Sequence, residues 1–439
     1  MENSTTTALH TDRYELTMLN AALGDGTAPR KAVFEVFTRF LPEGRDFGIV
    51  AGTERVVNAI VNFRFTEEQV SWLVREGVVD VAYQDVLLGF SFSGSVDGYG
   101  EGELYLANSP VLRVRSTFAE GVVLETLLLS ILNHDTAIAS TAAQMVRAAD
   151  GRRLIEMGSR RTHDESAVHA ARAAYIAGFD ATSNLEAGFR YAIPTAGTAA
   201  HAWILSHATE FDAFVAQMKS QGVGTTLLVD TFDTGEGIRC AIKASRHLDT
   251  AGPGAIRIDS GDLLTQSLAG RQLLDSLGAF ETKIVATGDL DEERIASLLD
   301  AGAPIDSFGV GTRLVTGANC PSPGFVYKLV AIESNDGVMM PVAKRSPEKA
   351  DVGGTTYVRR MSVAEAAQFG FLAMDDSTIV EVLFAKSPVD QGNVSWSNPQ
   401  RPLIANGHAV ASGSSLESVR TTTMERLVSG TNVVQRRSA

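Results

Sequence analysis

At 439 residues, 44% of them hydrophobic, the chain can bury a large core and carry two or three domains, and it reads as an ordinary soluble globular protein. Its formal net charge of −14 argues against a nucleic-acid or anionic-membrane surface, which needs concentrated Lys and Arg, although a locally basic pocket stays open. Cys240 and Cys320 are the only cysteines and lie outside any CxxC spacing, so neither a disulfide framework nor a structural zinc site is indicated, which fits a reducing cytoplasm. Residues 1–20 hold no apolar signal core, and the apolar stretch 121–132 is interrupted by Glu125 and is too short to span a bilayer, so no membrane segment is expected.

In chain order, residues 11–18 (TDRYELTM) read as a helix start with Thr11 or Asp12 as cap and Glu15 placed for a capping box. Residues 31–40 (KAVFEVFTRF) alternate apolar and polar and predict a strand, closed by the turn residues Leu41-Pro42-Glu43-Gly44. After residues 47–52 (FGIVAG) a helical pattern runs through Phe63, and a second helix covers 67–76. Residues 90–114 break into short β-prone pieces separated by glycines, and the apolar run 118–149 has helical spacing. This reads as a strand-rich α+β N-terminal domain, residues 1–130.

From there the pattern repeats in kind. Short apolar strands at 154–158, 180–184, 192–195, 226–229, 256–258, 283–286 and 307–310 each end in polar or glycine residues and hand over to a helix or loop. That is the layout of a β/α barrel, with functional groups at the C-terminal strand ends; a doubly wound open sheet gives a similar string. The expected architecture is therefore α/β: an irregular β/α barrel catalytic domain over residues 131–332, with a C-terminal subdomain, 333–439, packing with the N-terminal one. The basic stretch 344–349 (KRSPEK) is a polyphosphate contact or a solvated turn, and residues 428–439 are expected to fray.

The strand ends carry the chemistry. Residues 193–203 bring a glycine and two threonines into His201, a segment able to offer amides, hydroxyls and an imidazole to an anion. Thr287-Gly288-Asp289 and Gly309-Val310-Gly311-Thr312 are glycine turns on consecutive strands, where backbone can approach a phosphate closely. Arg160 and Arg161 offer planar donors to a carboxylate or phosphate. Asp230, Asp233, Asp259 and Asp262 form an acidic set suited to Mg²⁺ on a polyphosphate, or to capping helices, and Arg257 adds a cation beside Asp259. No HExxH, GxSxG or Walker-type motif occurs.

These residues resemble the nicotinate phosphoribosyltransferases, a type II phosphoribosyltransferase family. The resemblance runs from residue 11 to about 360 through TDRYELTM, FTRFLPEGRDFGIVAG (37–52), MGSRR (157–161), DATSN (180–184), GTAAHAW (197–203), LVDTFDT (228–234), RIDSGDL (257–263), ATGDLDE (286–292), GVGTRLVT (309–316) and VYKL (326–329). Residues 320–324 (CPSPG) depart from the family's usual approach to VYKL.

The resemblance implies transfer of phosphoribose from phosphoribosyl pyrophosphate to nicotinate, giving nicotinate mononucleotide for NAD biosynthesis by salvage, coupled to ATP hydrolysis through a phosphohistidine at His201. It implies further roles: His201, Arg257 and Asp262 as catalytic; Tyr14, Arg160, Arg161, Thr198, Asp259 and Ser260 as substrate-binding; Gly288, Asp289, Gly311 and Thr312 as phosphate-binding. Mg²⁺ is the implied cofactor, with Asp230, Asp259 and Asp262 as candidate ligands, and the implied assembly is a cytoplasmic homodimer sharing its active sites, with Tyr14 supplied across the interface. The competing readings are a nicotinamide phosphoribosyltransferase, a quinolinate phosphoribosyltransferase and a non-catalytic nucleotide-binding scaffold.

Overall fold

The strand Lys31–Thr38 is the spine of an antiparallel sheet, pairing on one side with Phe325–Glu333 and on the other with Leu112–Thr117. In this computed structural model, which describes residues 6–344, 353–362, 379–385, 397–411, 413–428 and 433–437, the sheet has seven strands. Its order is Met339–Pro341, Phe325–Glu333, Lys31–Thr38, Leu112–Thr117, Ser95–Tyr99, Gln400–Ala405 and His408–Ala409. The Phe325–Glu333 strand, which contains the VYKL motif, thus lies in this sheet and not among the parallel strands. It belongs to the first of two compact units, residues 1–140 with 320–439; residues 141–319 form the second, and the division falls inside the helix Glu125–Ala148.

The strand expected over residues 31–40 is present as Lys31–Thr38 and is buried on both faces. Phe34 stacks on Tyr327 with ring centroids 4.8 Å apart, while Glu35 is itself buried and accepts from Arg113 Nε at 2.9 Å and from the Thr356 amide at 3.0 Å. Burial pushes the Glu35 carboxyl above its ordinary range although Arg113 opposes this, so the pair specifies register at a desolvation cost.

Glu15 departs from expectation. Asp12 is the cap of the helix Arg13–Asp25 without a side-chain bond, and the fully buried Glu15 carboxylate accepts instead from the Thr126 amide at 2.9 Å and from the Thr11 and Thr126 hydroxyls. The capping box appears at the next opportunity, Thr66 with Gln69, ahead of Glu67–Arg75. Part of the C-terminal stretch expected to fray, Val433–Arg437, pairs parallel with Ile379–Phe384, which pairs antiparallel with Tyr357–Ser362. Residues 345–349 of the basic stretch lie outside the described residues.

The second unit holds a six-stranded, all-parallel sheet in the order Ala181–Thr182, Arg153–Glu156, Ser307–Val310, Lys283–Thr287, Ala255–Ile258, Thr226–Leu228. This is half of a β/α barrel: the ladder is continuous across six strands and is not closed between Ala181–Thr182 and Thr226–Leu228. The strands are short and almost wholly buried, as parallel strands covered by helices must be, and helices such as Thr234–His247, Leu263–Ser276 and Glu292–Asp300 return the chain between them. Among the described residues no helix is long and apolar enough to cross a membrane.

Close approach of helix to strand is set by glycine. A Cβ on Gly237, inside Thr234–His247, would lie 2.1 Å from the Val229 carbonyl oxygen, whereas one on Gly224 would meet nothing within 4 Å. Gly237→Ala is therefore expected to destabilise the protein by about 1–3 kcal/mol, and Gly224→Ala to leave the thermal midpoint unchanged; equal midpoints for the two variants would contradict this packing.

Candidate active site

In a parallel sheet every strand delivers its C-terminal end to the same edge, and there the loops of the second unit surround a cavity of about 580 Å³. One wall is the short 3₁₀ turn Ser159–Arg161, which follows Arg153–Glu156 and directs the exposed Arg160 and Arg161 to the cavity. The turn packs tightly, because a Cβ on Gly158 would lie 2.2 Å from Val315 Cγ1.

At the centre, Arg257 gives every face of its guanidinium a partner. Its Nε donates to Thr287 Oγ1 at 2.9 Å, Nη1 to Thr198 Oγ1 at 2.9 Å and Nη2 to Asp259 Oδ1 at 2.6 Å. Thr287 relays the network by donating its own hydroxyl to Asp259 Oδ1. Burial pushes the Asp259 carboxyl up, but the Thr287 hydroxyl, Arg257 and His201 outweigh it and hold Asp259 below the usual carboxylate range.

His201 opens the five-residue helix His201–Leu205, whose cap residue, Ala200, has no side chain to offer. The imidazole is fixed from two sides, with Nδ1 3.1 Å from Thr231 Oγ1 and Nε2 3.8 Å from Asp259 Oδ2. Trp203 anchors the helix by donating Nε1 to the Ala213 carbonyl at 3.2 Å. The expected run of amides, hydroxyls and imidazole is present, with the Thr198 hydroxyl engaged by Arg257.

The acidic set divides by role. Asp230 Oδ2 accepts from the Asp259 amide and the Ser260 hydroxyl, both at 2.9 Å, and so shapes the 259–260 turn, while its Oδ1 is buried with no hydrogen-bond partner among the described residues. Asp233 caps Thr234–His247 through the Glu236 amide. Asp262 caps Leu263–Ser276, accepting from the Leu264 amide at 3.2 Å and from the Thr265 hydroxyl, and the Thr265 bond holds its carboxyl below the usual range.

The two glycine turns stand side by side, with Thr287 paired to Gly309. Gly288 has φ +108°, and a Cβ there would lie 2.4 Å from the Asp259 carbonyl; Asp289 follows at φ +44°. Gly288, Asp289, Gly311 and Thr312 all line the cavity, the first two just ahead of Asp291, which caps Glu292–Asp300. Tyr14 belongs to the first unit, half-exposed on Arg13–Asp25, where burial and the hydrogen-bonded Glu125 push its hydroxyl up to about 12.

Of the residues singled out in the sequence, Arg160, Arg161, Thr198, Arg257 and Asp259 line the cavity with the two glycine turns. His201 and Ser260 adjoin it through Asp259 and Asp230, and Asp262 is engaged as a helix cap. Met157 and Ser183 also line the cavity and Thr231 holds His201; Thr231 is legible as a strand-end hydroxyl, whereas Met157 and Ser183 stand out only as members of the MGSRR and DATSN segments. Among the described residues no group of three or more His, Cys, Asp or Glu forms a metal cage. Among the described residues the cavity lining holds two carboxylate residues, Asp259 and Asp289, which fits a Mg²⁺ bound mainly through substrate phosphates and water.

Fold and site together define a β/α architecture with a polar cavity, lined by two glycine turns and an arginine pair, at its strand ends. Two family models match the sequence: the nicotinate phosphoribosyltransferase N-terminal domain over residues 9–133 and the nicotinate phosphoribosyltransferase family over residues 152–355. A nicotinate phosphoribosyltransferase of Mycobacterium tuberculosis is 54% identical over 371 residues, covering 83% of this chain and 80% of that one. One of Bacillus subtilis is 40% identical over 359 residues, with coverage of 81% and 73%. The crystal structure of human nicotinic acid phosphoribosyltransferase shares the fold at a TM-score of 0.78 and 24% identity, with 95% of this chain and 94% of that one covered. The chain belongs to the nicotinate phosphoribosyltransferase family.

Backbone shape at Gly288 gives a test of the cavity. Gly288→Ala is expected to weaken binding of ribose 5-phosphate about tenfold, roughly 1.4 kcal/mol by calorimetry, because the new methyl must displace the Asp259 carbonyl. Gly197→Ala, which lines the same cavity and meets nothing within 4 Å, is expected to bind as the parent does. Equal affinities for both would remove the Gly288 turn from the phosphate site.

Proposed function

We propose that this chain is a nicotinate phosphoribosyltransferase that makes nicotinate mononucleotide and pyrophosphate from nicotinate and phosphoribosyl pyrophosphate, coupled to ATP hydrolysis, in NAD salvage. The observation that carries the reading is the meeting of an arginine pair, the Arg257–Asp259 network and two glycine turns in one cavity. The arginines supply planar forks for a carboxylate, which nicotinate has and nicotinamide lacks.

In the coupling step a nitrogen lone pair of neutral His201 attacks the γ-phosphorus of ATP, the bond to the ADP oxygen breaks, and phosphohistidine and ADP result. The contacts from Thr231 and Asp259 support this by holding the ring still and facing its positive charge with a carboxylate. Mg²⁺ held through substrate phosphates, with Asp259 as the protein ligand, would supply charge neutralisation.

In the transfer step the bond from ribose C1 to pyrophosphate breaks as the pyridine nitrogen bonds to C1, through an oxocarbenium-like state. Arg257 faces the departing pyrophosphate, whose charge grows as it leaves, while the glycine turns hold the 5′-phosphate that stays on the ribose. Water then removes the phosphoryl group from His201 and resets the enzyme. The working form is a homodimer in which Tyr14 of one chain serves the partner's site.

Two outcomes test the reading. His201→Ala is expected to abolish transfer of label from γ-labelled ATP to protein, and full labelling of that variant would overturn the phosphohistidine assignment. Arg161→Lys is expected to raise the KM for nicotinate about tenfold, as a point charge replaces a planar fork; an unchanged nicotinate KM would remove Arg161 from carboxylate recognition.

A further inference from the structure

Glu156 is a buried carboxyl that the proposed chemistry does not use. It is the last residue of the strand Arg153–Glu156 and is 1% exposed. Strand alternation puts it on the face of Leu154 and opposite Met157, which lines the cavity, so a core side chain is expected at this position. Burying a carboxyl there is costly unless its oxygens do something an apolar group cannot.

What they do is close a ring of hydrogen bonds between two strand ends. Oε1 accepts from the Gly158 amide, at the entry to the arginine turn, and Oε2 from the Thr182 hydroxyl on the neighbouring strand. Thr182 Oγ1 in turn accepts from the Asn184 amide at 2.9 Å, and Asn184 Nδ2 donates to Ser159 Oγ at 3.0 Å, which returns to the turn. A backbone bond from the Ser183 amide to the Glu156 carbonyl, at 2.8 Å, runs alongside. The ring therefore ties Ser159–Arg161 to Ser183, two pieces of the cavity wall that lie just past the last ladder pair, Glu156 with Thr182.

We infer that Glu156 is a positioning residue that sets the arginine turn for its anionic ligand, acting through Gly158, Thr182 and Asn184 without touching substrate. This rests on the reading that Arg160 and Arg161 take the nicotinate carboxylate. An arginine fork recognises a carboxylate only when both donors are aimed, so a loosened turn costs nicotinate affinity and leaves the phosphate sites, built on other strands, intact.

The test compares Glu156→Gln, Glu156→Leu and Thr182→Val with Arg160→Lys and Arg161→Lys, measuring kcat and the KM of each substrate in the full-length protein. Glutamine keeps an oxygen for the Gly158 amide and is expected to stay within about threefold of the parent in every constant. Leucine fills the volume but leaves the Gly158 amide and Thr182 hydroxyl without acceptors, and is expected to raise the nicotinate KM about tenfold with the phosphoribosyl pyrophosphate KM little changed. Thr182→Val cuts the same ring at its other side and is expected to move the nicotinate KM in the same direction, which keeps the test open if the leucine variant does not fold.

A lowered melting temperature with both KM values unmoved, equal rises in both KM values, or a glutamine variant as impaired as the leucine one would each overturn the positioning role. If Arg160→Lys or Arg161→Lys raises the nicotinate KM and the ring variants do not, this inference alone fails. If Arg160→Lys and Arg161→Lys both leave it unmoved, the carboxylate reading of the turn fails and the inference falls with it.

Discussion

The site is organised by the fork of Arg257. A guanidinium has donors on three sides, and here each side is met by a different segment: Thr198 ahead of His201, Asp259 two residues along its own strand end, and Thr287 on the next strand. One rigid planar cation thereby ties an irregular loop to the edge of the sheet, and Lys could not do so because it offers a single point of charge. The loop is the one that presents His201, so the position of the imidazole follows from the Arg257 bonds as well as from Thr231.

The same network sets the electrostatics. A carboxylate half-removed from water resists ionisation, yet Asp259 is kept charged by the hydroxyl and guanidinium pointed at it. Its second oxygen is left facing His201, so a negative charge stands 3.8 Å from the imidazole Nε2. Around this centre the glycines do steric work: a Cβ on Gly288 would run into the Asp259 carbonyl, and one on Gly309 into the Thr287 and Met157 side chains. The interactions are few and shared, so each constrains several others.

How far this was legible in the sequence depends on whether a residue type has one use at its position or two. Arg257, Asp259 and the glycine turns were found because strand-end glycines and a basic–acidic pair have few other reasons to recur at one edge of a parallel sheet. Asp262 and Asp259 were indistinguishable by type, because a helix start asks for the same short acid that a polyphosphate site does; only the bonds to Leu264 and Thr265 identify Asp262 as a cap. Glu15 departs from expectation for a related reason: a local rule predicts a capping box, and a distant partner, Thr126, overrode it. Long-range pairing also decided the place of Phe325–Glu333, whose short apolar run is compatible with either sheet. Glu156 carried no signal at all, since a lone acid at a strand end is common and its meaning lies in the hydroxyl of Thr182 across the ladder.

The central claim is that one cavity joins a carboxylate-reading arginine turn to phosphate turns and a phosphorylatable histidine. The most direct measurement is mononucleotide formation by the purified protein with phosphoribosyl pyrophosphate and Mg²⁺, offering nicotinate and nicotinamide in parallel, with and without ATP. The account predicts product from nicotinate, little from nicotinamide, and stimulation by ATP with release of ADP. Preference for nicotinamide, or turnover of nicotinate indifferent to ATP, would contradict it.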